Sequence, residues 1–277
     1  MPQTSRIHKI TVLKCKLTTV KEITSLKDPL LQNMRLCRHQ NGRESLQAFL
    51  FEELFALEAA LKNEWPLSGV VFQRPPSSQL AEKLKVAKVP IFLCSQGLLK
   101  KVYPTGKVPE LIGLAQRKIY PLDTFSNEGT LLILDNIQHA GNLGTILRTA
   151  AAFNIEAIVI VGQTELYNRN TIRGAKEAFF NRKLALSHNN DCLAFLKENQ
   201  FTIVTTSSHT QNRVESLNTS KKTAFILGNE TKGVSPFWQD NTNDSICLPQ
   251  SKHVESLNVS IAAGIILYEF QKMKGVL

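Results

Sequence analysis

What the sequence lacks narrows its function first. No two cysteines are spaced as CxxC, and the five present (Cys15, Cys37, Cys94, Cys192 and Cys247) are an odd, scattered set. That pattern argues against a disulfide framework and, with no Cys/His cluster, against a structural zinc site. His139, His188, His209 and His253 show no metal-ligand spacing, so each reads as a surface or packing residue and no metal is expected. No apolar run approaches the roughly 18 residues of a membrane-spanning helix. The opening segment MPQTSRIHKITVLKCK has no continuous apolar core of signal-peptide length. The expectation is a cytoplasmic protein with no membrane partner. The GxGxxG fingerprint of nicotinamide-dependent enzymes is also missing.

Acidic residues are the other shortage. Asp and Glu total 23 against 33 Lys and Arg, a formal charge of +10. The shortage is uneven: residues 1–125 carry 19 basic and 10 acidic side chains, and residues 126–277 carry 14 and 13. A basic half suggests contact with a polyanion, or simply a soluble basic domain. The 277 residues are 43% hydrophobic and 20% charged, a globular composition. At about 150 residues per domain they suggest two domains.

The chain reads as an arm (1–27), a first α/β domain (28–112), a linker (113–128) and a second α/β domain (129–277). In the first domain, 46–61 is rich in helix formers, although its FLF could instead end a strand. Short strands are expected at 67–72 and 90–94, and helices at 77–89 and 95–104. In the second domain, apolar strands are expected at 130–135, 156–162, 201–207, 223–228 and 245–249. A helix follows the first of these at about 142–153, and another closes the chain at 256–273. That alternation predicts a mostly parallel sheet covered on both faces.

Three strand ends carry unusual residues. In DNIQHAGNLGTILR, Gly141 and Gly144 flank Asn142, and Arg148 lies six residues beyond Asn142 inside a helix. An arginine near a helix start opposes the dipole. Arg148 therefore reads as a phosphate or ligand contact, or else as a salt bridge to the fold. In ILGNETKG an apolar strand runs into Gly228, Asn229, Glu230 and Gly233, which suits a flat ligand or a plain glycine-rich turn. In ICLPQSKHVESLNVSIAAGIILYE, Asn258 and Ser260 open an otherwise apolar helix, with Ser256 as a candidate N-cap.

Together, in this order and spacing, the three blocks resemble the motifs of the SPOUT superfamily, specifically the SpoU/TrmH-type RNA 2′-O-ribose methyltransferases. The resemblance covers the whole C-terminal domain. It implies a parallel sheet whose C-terminal segment threads a loop as a deep trefoil knot, which the general rule against threaded connections would not suggest. It also implies a homodimer joined through the closing helix. S-adenosylmethionine is then expected near Thr205 to His209 (Thr205 and Ser207 above all), Gly228, Ile246, Leu248 and Leu257. The chemistry implied is attack of a ribose 2′-hydroxyl on the activated methyl group. Arg148 falls at the motif's catalytic position. Arginine stays protonated in proteins and is a poor base, so orienting a phosphate or hydroxyl and stabilising developing charge suits it better. Asn142 would position the ribose or Arg148, and Glu230 the motif loops or Arg148. Ser256 and Asn258 would fix the substrate pocket and closing loop.

The N-terminal half resembles the L30e/L7Ae-like RNA-binding domain found before the knot in some relatives, through GRESLQAFLFEELFALEAAL. Many relatives carry glycine after FxxE, where this chain has Glu53. With LLKKVYPTGKVPELIGLAQRK, the likeness is nearer to ribosomal-RNA methyltransferases of the thiostrepton-resistance type. Arg35, Arg38, Arg43, Lys100, Lys101 and Lys107 are the candidate phosphate contacts. The expected activity is methylation of large-subunit (23S) ribosomal RNA, with antibiotic resistance or housekeeping both open as its purpose. The alternatives are the same chemistry on tRNA, or an RNA-binding protein without activity.

Overall fold

The chain divides between Arg117 and Lys118 into two units. The computed structural model describes residues 20–103, 107–155, 157–207, 210–251, 253 and 256–277. The first unit holds strands Lys21–Ile23 (β1), Ala48–Glu52 (β2), Leu67–Phe72 (β3), Ile91–Cys94 (β4) and Leu111–Gln116 (β5). They form one sheet in the order β1-β4-β3-β5-β2. β1, β4 and β3 run parallel, and β5 runs antiparallel to both of its neighbours. Helices Ser78–Val86 and Gln96–Val102 start where Ser77 and Ser95 accept hydrogen bonds from the Leu80 and Leu98 amides, one helix turn into each segment.

Three boundaries are decided or moved by the structure. In 46–61 the strand alternative for FLF holds: Ala48 to Glu52 are β2, buried on both faces as a strand inside a sheet requires, and the helix formers behind it make the helix Leu54–Lys62. The expected linker 113–128 starts inside β5: Gly113 lies opposite Phe51, whose ring fills the space where a Cβ would sit. The expected arm 1–27 contributes β1 at the sheet edge. Cys15 lies outside the described residues. Burial pushes the Cys37 and Cys192 thiols up to about 12, so neither is a reactive thiolate.

Glu53 joins β2 to the next helix with φ 76° and ψ 143°, and its side chain makes no capping hydrogen bond. Glycine occupies that backbone region readily, whereas other residues are strained there. Glu53→Gly is therefore expected to stabilise the protein by about 1 kcal/mol, after subtracting glycine's extra unfolded-state entropy. Urea unfolding would register this as a higher midpoint at constant slope; an unchanged or lower midpoint would contradict it.

The second unit holds Thr130–Asp135 (β6), Ala157–Val161 (β7), Lys183–Ser187 (β8), Thr202–Thr206 (β9), Thr223–Leu227 (β10) and Asp244–Ile246 (β11). All adjacent pairs are parallel, in the order β11-β9-β10-β6-β7-β8. β8 is a strand the sequence reading did not anticipate. One face carries helices Ala140–Ala152 and Val259–Met273, the latter anchored by Phe270 edge-on to Phe225 at 4.9 Å. The opposite face buries Trp238, Phe195 and Phe125 with alternate residues of β6, β7 and β10. Chain order runs outward from β6 to β8, then restarts across the sheet at β9. The reversal leaves β10 beside β6, and ligands favour such switch points at strand carboxyl ends.

Candidate active site

The loops leaving β6 and β10 are neighbours because those strands pair from Thr223 opposite Thr130 to Leu227 opposite Leu134. Asp135, 1% exposed, ends β6 and accepts the Ser235 amide at 2.8 Å. The Asn229 side chain donates to the Asn136 carbonyl at 2.9 Å. These bonds hold the two loops together. His139 caps the helix Ala140–Ala152, its Nδ1 accepting from the Asn142 amide at 3.3 Å.

Glu230 sits where the loops meet. Its Oε1 accepts from the His139 amide at 3.0 Å and from Asn142 Nδ2 at 3.0 Å; its Oε2 accepts from the Gln138 amide at 3.1 Å. Burial pushes the carboxyl pKa up. The Asn142 amide and the Glu230, His139 and Gln138 N–H groups outweigh burial and hold it below the ordinary range. Asn142 Oδ1 in turn accepts from Asn258 Nδ2 at 3.0 Å. Asn258 Oδ1 accepts from the Ser260 amide at 2.9 Å and the Ser260 hydroxyl at 2.6 Å. Asn258, not Ser256, is thus the N-cap of the closing helix, which starts at Val259 and not at 256.

Beside this chain lies a cleft of about 320 Å³ at the carboxyl ends of β9, β10 and β11. Leu227, Ile246, Leu248, Leu257, Val259 and Ala262 give it apolar walls. Thr206, Ser207, Asn229, Glu230 and Ser256 add polar groups. Among the described residues, no three His, Cys, Asp or Glu side chains are grouped to hold a metal.

Of the expected cofactor residues, Ser207, Gly228, Ile246, Leu248 and Leu257 line this cleft. Thr205 does not. It is 2% exposed, with its hydroxyl bonded to Thr242 and Ser245 at 3.2 and 2.9 Å. Side chains alternate along a strand, so Thr206 occupies the cleft instead. His209 lies outside the described residues. Of the expected catalytic set, Glu230 and Ser256 line the cleft, and Asn142 and Asn258 join Glu230 in the hydrogen-bond chain. Arg148 is not gathered in: it is exposed, makes no polar contact among the described residues and lies off the cleft. Six residues past Asn142, it projects about 240° around the helix from it.

In the first unit, Arg35, Lys100, Lys101 and Lys107 are exposed and Arg38 is half-buried. Arg43 is a correction. It is 7% exposed and its Nη1 donates to the Cys37 carbonyl at 2.7 Å, so it braces the turn between helices Pro29–Leu36 and Gln40–Leu46. Burial lowers its pKa, against the raising influence of Cys37 and Glu44. The sequence reading held Thr206 within the range Thr205 to His209 without singling it out, named Asn229 in its motif without a role, and missed Gln138. Strand alternation was the available signal for Thr206, and Gln138 contributes through its backbone, which side-chain identity does not reveal.

The profile of the SpoU rRNA Methylase family matches residues 129–268. The 23S rRNA (adenosine(1067)-2′-O)-methyltransferase of Streptomyces azureus is 23% identical over 265 residues, covering 91% of this chain and 96% of that protein. The 23S rRNA (guanosine(2553)-2′-O)-methyltransferase of Bacillus subtilis is 23% identical over 253 residues, 91% of this chain and 100% of that one. A solved AdoMet-bound rRNA methyltransferase from Sinorhizobium meliloti superposes with a TM-score of 0.84 at 26% identity, covering 92% of this chain and 98% of that chain.

Proposed function

The chain belongs to the SpoU rRNA methylase family, and from that premise we propose that it methylates a ribose 2′-oxygen of 23S ribosomal RNA, using S-adenosylmethionine. The observation that carries this is the cleft with the chain Ser260–Asn258–Asn142–Glu230 at its rim. The cleft suits the cofactor: apolar walls for a flat ring, with hydroxyl and backbone groups of strand ends beside them. When bound, the cofactor supplies a methyl group made electrophilic by its sulfonium. The protein's part is placement. Glu230 pins the β6 and β10 loops, Ser256 and Leu257 shape the wall, and Asn142 and Asn258 meet the incoming ribose. Arg148, exposed and without a polar partner among the described residues, is free to engage an RNA phosphate.

The basic first unit supplies RNA binding through Arg35, Lys100, Lys101 and Lys107, and its mixed sheet suits the L30e-like kind of domain. The return of the chain from β11 at the sheet edge to Asn258, beside Asn142, supports the trefoil knot of the family resemblance. Acting on ribosomal RNA, the protein would work in the cytoplasm.

Pairing of two copies is part of the same reading. Ile261, Ile265 and Tyr268 are 54%, 40% and 41% exposed. Spaced i, i+4 and i+7, they make one apolar stripe along the closing helix. Light scattering is expected to find a dimer, and Ile265→Glu to yield monomers with at least about tenfold less methyl transfer, since a charge would be buried at the seam. A monomeric parent protein would refute this.

Mass-spectrometric mapping of ribose methylation, in rRNA and tRNA with and without the protein, tests the activity. One protein-dependent 2′-O-methyl in 23S rRNA is expected. A mark confined to tRNA, or none, would overturn the proposal.

A further inference from the structure

We infer that the Ser260 hydroxyl is a positioning group, clamping Asn258 so that Asn258 and Asn142 both turn N–H donors to the substrate. The inference rests on the ribose-methylation reading and concerns the same site.

A carboxamide has a donor end and an acceptor end of nearly equal shape, and its neighbours decide which way it faces. Here the direction is forced from both ends. An ionised carboxylate only accepts, and Glu230 is held ionised, so Asn142 must give it Nδ2. Asn142 Oδ1 then faces Asn258 and requires Nδ2 there. That leaves Asn258 Oδ1 facing the helix, where two donors of Ser260 converge on it. Every donor points toward Glu230, along a path linking residues far apart in the chain.

The Ser260 amide alone would satisfy an ordinary helix cap. The hydroxyl is a second donor on the same oxygen. Ser260 is only 8% exposed, and alanine would be the better helix former at this position. Its hydroxyl acts on Asn258, which is itself exposed at the rim of the cleft. Fixed this way, each amide keeps one N–H with no partner among the described residues, while both carbonyl oxygens are occupied within the chain. The rim therefore shows donors to whatever docks there. Ribose and phosphate oxygens accept such bonds, including an oxygen gathering charge during transfer.

The test is methyl transfer to the 23S RNA fragment identified by mapping, with S-adenosylmethionine affinity measured by calorimetry. Ser260→Ala is expected to lower kcat about tenfold while cofactor Kd stays within about twofold. Ser260→Thr, which restores the hydroxyl, should return kcat to within about threefold of the parent. Asn258→Asp should keep the helix cap and the melting temperature, since aspartate caps as well as asparagine, yet lose at least about 30-fold in kcat. Ser260→Ala should add little in an Asn258→Ala background, because the hydroxyl acts only through that amide. A kcat within twofold of the parent for Ser260→Ala would overturn the inference. So would equal losses in the alanine and threonine variants, or an undiminished Ser260→Ala effect without Asn258. If alanine at 260 prevents folding, Ser260→Val, which matches threonine in shape without the hydroxyl, takes its place: kcat about tenfold below Ser260→Thr supports the inference, and equal kcat overturns it. A parent protein that methylates no RNA defeats the functional reading itself; an active parent with an indifferent Ser260 defeats only this inference.

Discussion

Replacing Glu230 by glutamine is expected to lower kcat/KM for RNA by about 100-fold or more. The carboxylate takes the Gln138 and His139 amides and Asn142 Nδ2 on its two oxygens. Glutamine keeps one acceptor oxygen and puts an NH₂ where the other stood. Turned either way, that NH₂ meets at least one N–H that needs an acceptor. Hydrogen bonds to charged groups contribute about 1.5–3 kcal/mol each. The better orientation loses one of them and turns the other two from charged to neutral acceptors, together about 3 kcal/mol, which is roughly a hundredfold in rate if the site alone bears it. Glu230→Asp keeps the charge on a shorter stem and should fall between glutamine and the parent. The pH dependence has a definite sign. Glu230's pKa is depressed on folding, so its contribution is complete above the ordinary carboxylate range. It fades as pH falls through the depressed value. Activity should therefore show no loss attributable to Glu230 at neutral pH, and the acid limb should be absent in Glu230→Gln. A glutamine variant within threefold of the parent would remove Glu230 from the site.

The sequence was informative where chemistry is carried by local pattern. The apolar runs 130–135 and 223–228 predict strands, and the structure ends them within a residue of where the runs end. Their burial on both faces leaves no polar alternation to confuse the reading. β5 was hidden because Gly113 interrupts a short apolar stretch, and a glycine under an aromatic ring looks, in sequence, like a glycine in a turn. Thr205 and Thr206 are chemically identical neighbours, and only the phase of the strand decides which faces the cleft. Arg43 shows the same limit for charge. Residue type suggested an anion contact, yet its guanidinium is buried against a carbonyl. The relation of Glu230 to Asn142 is 88 residues long, and that of Asn258 to Asn142 is 116. No window of sequence contains either bond. The motifs named the participants, and the folded chain supplied the direction in which the hydrogen bonds run.

Gly228→Ala should be the most disruptive single methyl group in the second unit. A Cβ there would lie 2.2 Å from the Gly233 carbonyl carbon and the Val234 nitrogen, and 2.3 Å from the Gly233 oxygen. These are backbone atoms. They cannot rotate aside as a side chain can, and the loop they belong to is tied at both ends. The Gly233 amide bonds the Asn229 carbonyl at 2.9 Å, and the next residues are held where Ser235 donates to buried Asp135. Relief therefore requires moving the 229–235 loop away from β6. That movement would also pull Glu230 off the Gln138 and His139 amides. Overpacking in a rigid surround costs about 1–3 kcal/mol, and broken hydrogen bonds to a charged group add to it. A destabilisation of at least about 3 kcal/mol follows, large against the 5–15 kcal/mol stability of typical domains. Gly233→Ala provides the contrast. Gly233 has φ +70° but open space around the missing Cβ, so alanine there should cost only the strain of a left-handed residue, about 1–2 kcal/mol. Denaturant unfolding of the two variants should rank Gly228→Ala well below Gly233→Ala, with cofactor affinity lost in the first. Equal midpoints would mean that the loop yields freely, and that the close approach of β10 to its own return loop does not hold Glu230 in place.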